Sequence, residues 1–168
     1  MPVQVYFIIR EVKYMKIFKL LLITGLIMTA ASIAYAQEVG RMATVSEVVG
    51  SVEVQGAEGT WIPAKVGMVL KQGDSIKTKG SSWAILNVDG AAQTATVEVK
   101  QNSMMKLATL LKDSVADTQT TLLDLSLGEV LIKAKKLHSD KSKFEVKTPT
   151  SIVGVRGTTF SVAVEAIE

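Results

Sequence analysis

The sequence contains no cysteine, one histidine (His138) and three prolines in 168 residues, and only 5% of it is aromatic. Without cysteine there is no disulfide framework, no thiolate metal site and no attachment point for the lipid of an exported lipoprotein. A single histidine leaves a zinc centre short of ligands. His138 lies in the lysine-rich turn Lys135–Lys141, and no serine stands in the Gly-x-Ser-x-Gly setting of a hydrolase nucleophile. A glycine-rich phosphate loop ending in Lys-Ser or Lys-Thr is missing as well. The residues thus point to no catalytic group, cofactor or metal site. What is present is 48% hydrophobic and 21% charged, too apolar for a disordered chain and long enough for one ordinary domain.

The net charge of +3 is unevenly placed. Arg10, Lys13, Lys16 and Lys19 fall in the first 36 residues against one acid, Glu11, and from Gln37 onward basic and acidic residues balance at fifteen each. A balanced remainder gives no general attraction to nucleic acid. The N-terminal charges belong to an export signal: Lys16 and Lys19 precede the apolar run Leu20–Met28, and Ala34-Tyr35-Ala36 is an Ala-x-Ala cleavage site. The expected division is 1–14 as an over-called start or a long n-region, 15–36 as signal peptide and hydrophobic signal helix, and 37–168 as the exported domain. Small and polar residues at Thr29–Ser32 favour cleavage after Ala36 over an uncleaved anchor. The expected location is periplasmic or secreted, with a membrane partner only if the segment stays uncleaved.

Beyond Thr44 the apolar pattern repeats at two, in short Val-, Ile- and Thr-rich runs separated by Gly, Asp and Asn. Strands are expected at Thr44–Val49, Ser51–Gln55, Ser75–Thr78, Trp83–Val88, Thr94–Lys100 and Ser103–Leu107, and again at Thr120–Leu127, Glu129–Ala134, Lys143–Lys147, Ser151–Val155 and Thr158–Val164. Met104, Leu107, Ala108, Leu111 and Val115 sit at helical spacing and offer a short helix as the alternative there. Many short strands with frequent turns make an all-β sandwich, barrel or solenoid. Gly50-Ser51-Val52-Glu53-Val54 and Gly128-Glu129-Val130-Leu131-Ile132 share a Gly-x-Val-x-aliphatic pattern, which suggests a two-part β architecture.

Asp74 and Asp89 could be imagined as an acid–base pair, but each adjoins a glycine (Gly73, Gly90) in a turn signal, where an aspartate caps its own backbone. Lys133, Lys135, Lys136, Lys141, Lys143 and Lys147 crowd into fifteen positions. They read as a solvated, edge-protecting loop or as a contact for an anionic partner. Arg156 interrupts the small apolar run Ile152–Thr158 and is expected to be partly buried, with Asp74, Asp89 or Asp124 as its partner. From Gln37 onward the aromatics are Trp61, Trp83, Phe144 and Phe160, which core packing should largely consume.

In order along the chain, Gly50–Val54, Trp61-Ile62-Pro63-Ala64, Gly67–Thr78 with its Gly73-Asp74-x-Ile76-x-Thr78 core, and Ala84–Gly90 resemble the FecR domain family. So do Leu125–Val130, Phe144–Pro149 with Thr148-Pro149, and Val155-Arg156-Gly157-Thr158-Thr159-Phe160-Ser161-Val162. The resemblance implies an all-β periplasmic module, sandwich or solenoid-like. It makes Gly73, Asp74, Asp89, Gly90, Gly128, Thr148, Pro149, Arg156, Gly157, Thr158 and Phe160 structural motif positions. In the ferric-citrate regulator type such a domain senses an outer-membrane transporter and signals to a cytoplasmic anti-sigma segment. Here 14 to 19 residues precede the apolar run and none follows Glu168, so the expectation is a stand-alone domain or a fragment without those parts. The function expected is a non-enzymatic envelope binding or scaffolding module, contacting an envelope protein or an anionic envelope polymer. The alternative is a membrane-anchored component of a FecR-type, sigma and anti-sigma signalling system. An envelope enzyme acting on polysaccharide is the third and least supported reading.

Overall fold

Alternation at two builds the molecule. Along Trp83–Val88 the side chains of Ala84, Leu86 and Val88 are buried and their neighbours half-buried, and Ala95–Val99 answers with Ala95, Val97 and Val99 inside. That is the pleat of a strand with one face on a core. The computed structural model describes residues 38–56, 58–90, 93–137 and 139–165, and among them every regular element is a strand. The expected signal helix, its cleavage site and His138 lie outside the described residues.

In chain order the strands are β1 (Glu38–Gly40), β2 (Met42–Val49), β3 (Val52–Gln55), β4 (Trp61–Pro63), β5 (Val69–Lys71), β6 (Ser75–Thr78) and β7 (Trp83–Val88). They continue with β8 (Ala95–Val99), β9 (Met104–Asp113), β10 (Thr118–Ala134), β11 (Lys143–Lys147), β12 (Ile152–Val155) and β13 (Thr159–Val164). All belong to one sheet that curls over into two halves. Half A runs β4-β3-β6-β9-β10-β11-β12, with β1 also on β9; half B runs β5-β2-β7-β8-β10-β13. β10 serves both, pairing with β9 and β11 up to Leu127 and with β8 and β13 from Gly128. It joins the two separate strands expected at Thr120–Leu127 and Glu129–Ala134 into one. Between the halves lies an aliphatic core that includes Val45, Ile76, Leu86, Met105, Leu110, Leu123, Leu125 and Ile132.

The two copies of the Gly-x-Val pattern are two corners of the same design. At one, β2 passes to β3 through Gly50 while its partner ribbon passes from β6 to β7 through Ser82; Ser51 N donates to Ser82 Oγ at 2.8 Å and Ser82 Oγ donates to Gly80 O at 3.0 Å. At the other, β10 bends at Gly128 while β8 passes to β9 through Ser103; Glu129 N donates to Ser103 Oγ at 2.9 Å and Ser103 Oγ donates to Gln101 O at 3.1 Å. Both glycines have positive φ, 73° and 85°, a conformation that costs a residue with a Cβ. Thr78 Oγ1 ties the corners together, donating to Lys100 O at 2.5 Å and accepting from Ser103 N at 3.0 Å.

The helix offered as an alternative over Met104–Ala116 is overturned, since Met104–Asp113 is a strand. Leu123 pairs with Leu107 and Leu122 with Thr109, so Ala108 is the extra residue of a β-bulge. The bulge shifts the phase by one and buries Met105, Leu107 and Leu110, a spacing of two and then three that imitates a helical step. Both tryptophans also depart from expectation: Trp61 and Trp83 are half-buried at positions facing away from the core, and of the aromatics Phe144 is buried in it and Phe160 packs at its margin.

Candidate functional site

The half-sheets end on strands of unequal exposure to pairing. β4 is three residues long and ends on Pro63, and β5 is three residues long and ends on Lys71; short length, proline and lysine all discourage addition of another strand. Among the described residues β12 pairs only with β11 and β13 only with β10, and neither holds a proline or a lysine. Ile152 is 63% exposed and Val153 36%. Between these two edges lies a groove of about 680 Å³. Its lining includes Ser126 and Leu127 at the bend of β10, the turn Thr148–Ser151, Val153 of β12 and Ser161–Glu165 of β13.

Of the family-motif residues Thr148 and Pro149 line this groove, and Gly157, Thr158 and Phe160 lie in the turn and strand beside it. Thr148 N donates to Ser151 O at 2.8 Å and Ser151 N donates to Thr148 Oγ1 at 3.0 Å, closing the turn that carries Pro149 between β11 and β12. Thr158 O accepts from Ala134 N at 3.1 Å, tying the β12–β13 turn to the end of β10. Gly157 sits so close to that segment that a Cβ there would lie 2.8 Å from Lys136 N. Phe160 packs against the core from β13. Among the described residues Glu165 is the only titratable one lining the space. The rest of the lining mixes aliphatic residues with the hydroxyls of Ser126, Thr148, Thr150, Ser151 and Ser161.

The remaining expected positions are spread over the fold. Gly73 and Asp74 form the β5–β6 turn, where Asp74 Oδ2 accepts from Lys71 N at 2.8 Å, a local cap. Asp89 and Gly90 form the β7–β8 turn, but Asp89 is engaged by a residue the sequence reading missed. Arg41, between β1 and β2, donates from Nε to Asp89 Oδ1 at 2.8 Å and from Nη2 to Asp89 Oδ2 at 2.5 Å. Its Nη2 also reaches Thr94 Oγ1 at 2.9 Å and its Nη1 reaches Thr121 Oγ1 at 2.8 Å. The Arg41 side chain is 6% exposed and that of Asp89 16%.

Arg156 corrects the expectation of a partly buried clamp. Its side chain is 67% exposed and its Nη1 lies 3.2 Å from Oδ1 of Asp140, not near Asp74, Asp89 or Asp124. Val155 is the inward residue at that point, so the next position falls on the outside. The six lysines are all exposed but divided. Lys133 lies on the outer face of half B, Lys143 and Lys147 on that of half A, with Lys147 3.5 Å from Asp124. Lys135 and Lys136 line a recess of about 340 Å³ with Lys112 and Asp117, and Lys141 stands in the turn before β11.

On the outer face of half A, Lys77 Nζ stands 4.4 Å above the Trp61 ring and 2.9 Å from Glu53 Oε2. The hydrogen bond from Lys77, with Lys79 adding to it, holds the Glu53 carboxyl below the usual carboxylate range. A lowered folded-state value means a stabilising contribution present at neutral pH and lost as pH falls through that value. An NMR titration is expected to place Glu53 below a peptide glutamate, and Lys77→Met to move it back up.

Among the described residues no cluster of three or more potential metal ligands occurs, and no helix is long and apolar enough to cross a membrane. Fold and groove together define an all-β module with paired open edges. A family model described as FecR protein matches residues 74–167, more than half of the chain, and the chain belongs to the FecR family. That family is one of non-enzymatic, envelope-associated signalling regulators. No curated protein and no solved structure matches the chain.

Proposed function

We propose that this protein is a non-enzymatic binding module of the bacterial cell envelope that takes an extended segment of a partner protein along β12 and β13. The observation that carries this reading is the contrast between edges: β4 and β5 are blunted, whereas β12 and β13 are open and flank one groove. Strand addition supplies main-chain hydrogen bonds, and pockets for alternate side chains supply selectivity. The groove suits small or β-branched apolar side chains on the incoming strand, with a basic residue near Glu165. The lysines, divided between two faces, support an anionic-polymer contact less well.

A photo-crosslinking residue at Ile152 or Ser161 in living cells is expected to capture an envelope protein, and the adduct to disappear on adding Val153→Lys. The same label at Val115, exposed in the turn before β10, should not capture it. Edge labels that yield no protein adduct, or only polymer, would count against the proposal.

A further inference from the structure

Trp83 stands on the outer face of half B beside a recess of about 440 Å³, lined also by Glu98, Lys100, Gln101 and Glu129. The size lies in the range of small-ligand sites. Register explains the grouping: Ala84, Val99 and Val130 are cross-strand partners on the inner face, so Trp83, Lys100 and Glu129 neighbour one another on the outer one. At about 4.8 Å between strands, that row spans about 10 Å. A half-buried indole with no structural task in the core is an unusual use of one of the chain's two tryptophans. The other, Trp61, has its ring covered by Lys77.

Each of the polar side chains has one atom engaged within the protein. Glu98 Oε1 takes Lys100 Nζ at 2.5 Å, Glu129 Oε1 takes Ser161 Oγ at 2.5 Å, and Gln101 Oε1 takes Ser81 N at 3.0 Å. That leaves Glu98 Oε2 and Glu129 Oε2, on strands, as acceptors and Gln101 Nε2, in the turn after β8, as a donor. An indole that packs on C–H groups, ringed by carboxylates and a carboxamide that accept from and donate to hydroxyls, matches the two-sided chemistry of a pyranose. A second recess of about 460 Å³ shares Lys100, Gln101 and Glu129 and continues past Gly128, which suits a chain of sugars over a single ring. With two carboxylates and one ammonium, the site disfavours polyanions. We propose that the Trp83 recess binds a neutral oligosaccharide. The Trp83 recess shares no lining residue with the β12–β13 groove, whereas the second recess adjoins that groove through Leu127, Ala163, Val164 and Glu165.

The test uses the full chain in a non-glycosidic detergent and follows the two indole N–H signals by NMR, assigned with Trp61→Phe. The probes are N-acetylglucosamine trimer, maltotriose and, as the anionic comparison, a galacturonate trimer. At least one neutral trimer is expected to shift the Trp83 indole saturably and leave Trp61 in place. Affinity, read from the backbone shifts around the recess, should fall about tenfold or more in Trp83→Ala. It should fall severalfold in Gln101→Ala, an exposed turn position that leaves the fold intact if Trp83→Ala does not. A Trp83 signal unmoved by both neutral trimers, an equal response to the galacturonate trimer, or full affinity in Gln101→Ala would overturn the proposal.

Discussion

Asp89→Ala is expected to destabilise the protein by about 3 kcal/mol or more, because it leaves a buried guanidinium without its counter-charge. Arg41 joins the β1–β2 junction, the β7–β8 turn and β10 through Asp89, Thr94 and Thr121, and both oxygens of Asp89 are taken by it. Two threonine hydroxyls and, at 3.5 Å, the Thr120 carbonyl remain as acceptors after the substitution, too few to replace a bidentate carboxylate. Arg41→Met should cost less, since Asp89 at 16% exposure is the more accessible of the two charges and recovers water. The double variant should then be less destabilised than the sum, with a coupling within the 0.5–3 kcal/mol usual for residues in one network, roughly. Urea unfolding with an unchanged slope measures all three; a cost for Asp89→Ala below about 1 kcal/mol would show that the pair is not what holds these turns.

Gly128→Ala is expected to cost about 4 kcal/mol or more and to leave little folded protein, given total stabilities of about 5–15 kcal/mol. A Cβ at Gly128 would lie 2.5 Å from Ser103 Cα and 2.6 Å from Asn102 O, and the residue has φ of +85°. The Ser103 hydroxyl is closer still, but the two backbone atoms stay in place when it is removed, so trimming Ser103 to glycine should not rescue it. The equivalent corner behaves differently. At Gly50 the nearest obstacles are the Ser82 side chain, with Cβ at 2.9 Å, and Ser81 O at 3.0 Å. Ser82→Gly should therefore relieve part of the cost of Gly50→Ala. Gly40→Ala, where nothing lies within 4 Å, serves as the control and should change stability by no more than about 0.5 kcal/mol. Thermal melts of the single and paired variants check each step, and rescue of Gly128→Ala by Ser103→Gly would contradict this account of the bend.

Most strands were legible because their alternation is regular. β1, β4 and β5 were not, since three residues carry too little pattern to stand apart from a loop. β9 was ambiguous because a single bulge at Ala108 breaks the period where the chain is most apolar. The arginines show how phase decides a site. Arg41 is in step with Ala43 and Val45, which are buried, so an inward charge needing a partner could have been found by counting in twos. Arg156 follows the buried Val155 and falls outside, and the apolar character of its neighbours misled because they face both ways on an edge strand. The Thr148-Pro149 and Gly157 motifs were visible as positions; that the first lines a groove and the second packs against the Lys136 backbone was not.

The amino-acid sequence by itself determined the all-β class, the family and the recurrence of a Gly-x-Val pattern, because period-two burial and turn residues act between near neighbours along the chain. Tertiary structure decided that β10 would be one bent strand shared by two half-sheets, that Arg41 would meet Asp89 forty-eight residues away, and that β12 and β13 would flank one groove. It also placed Trp83 outside, among charged neighbours from β8 and β10. These depend on register and on the curl of the sheet, which are set by the packing of both halves together and so are written in no single stretch of residues.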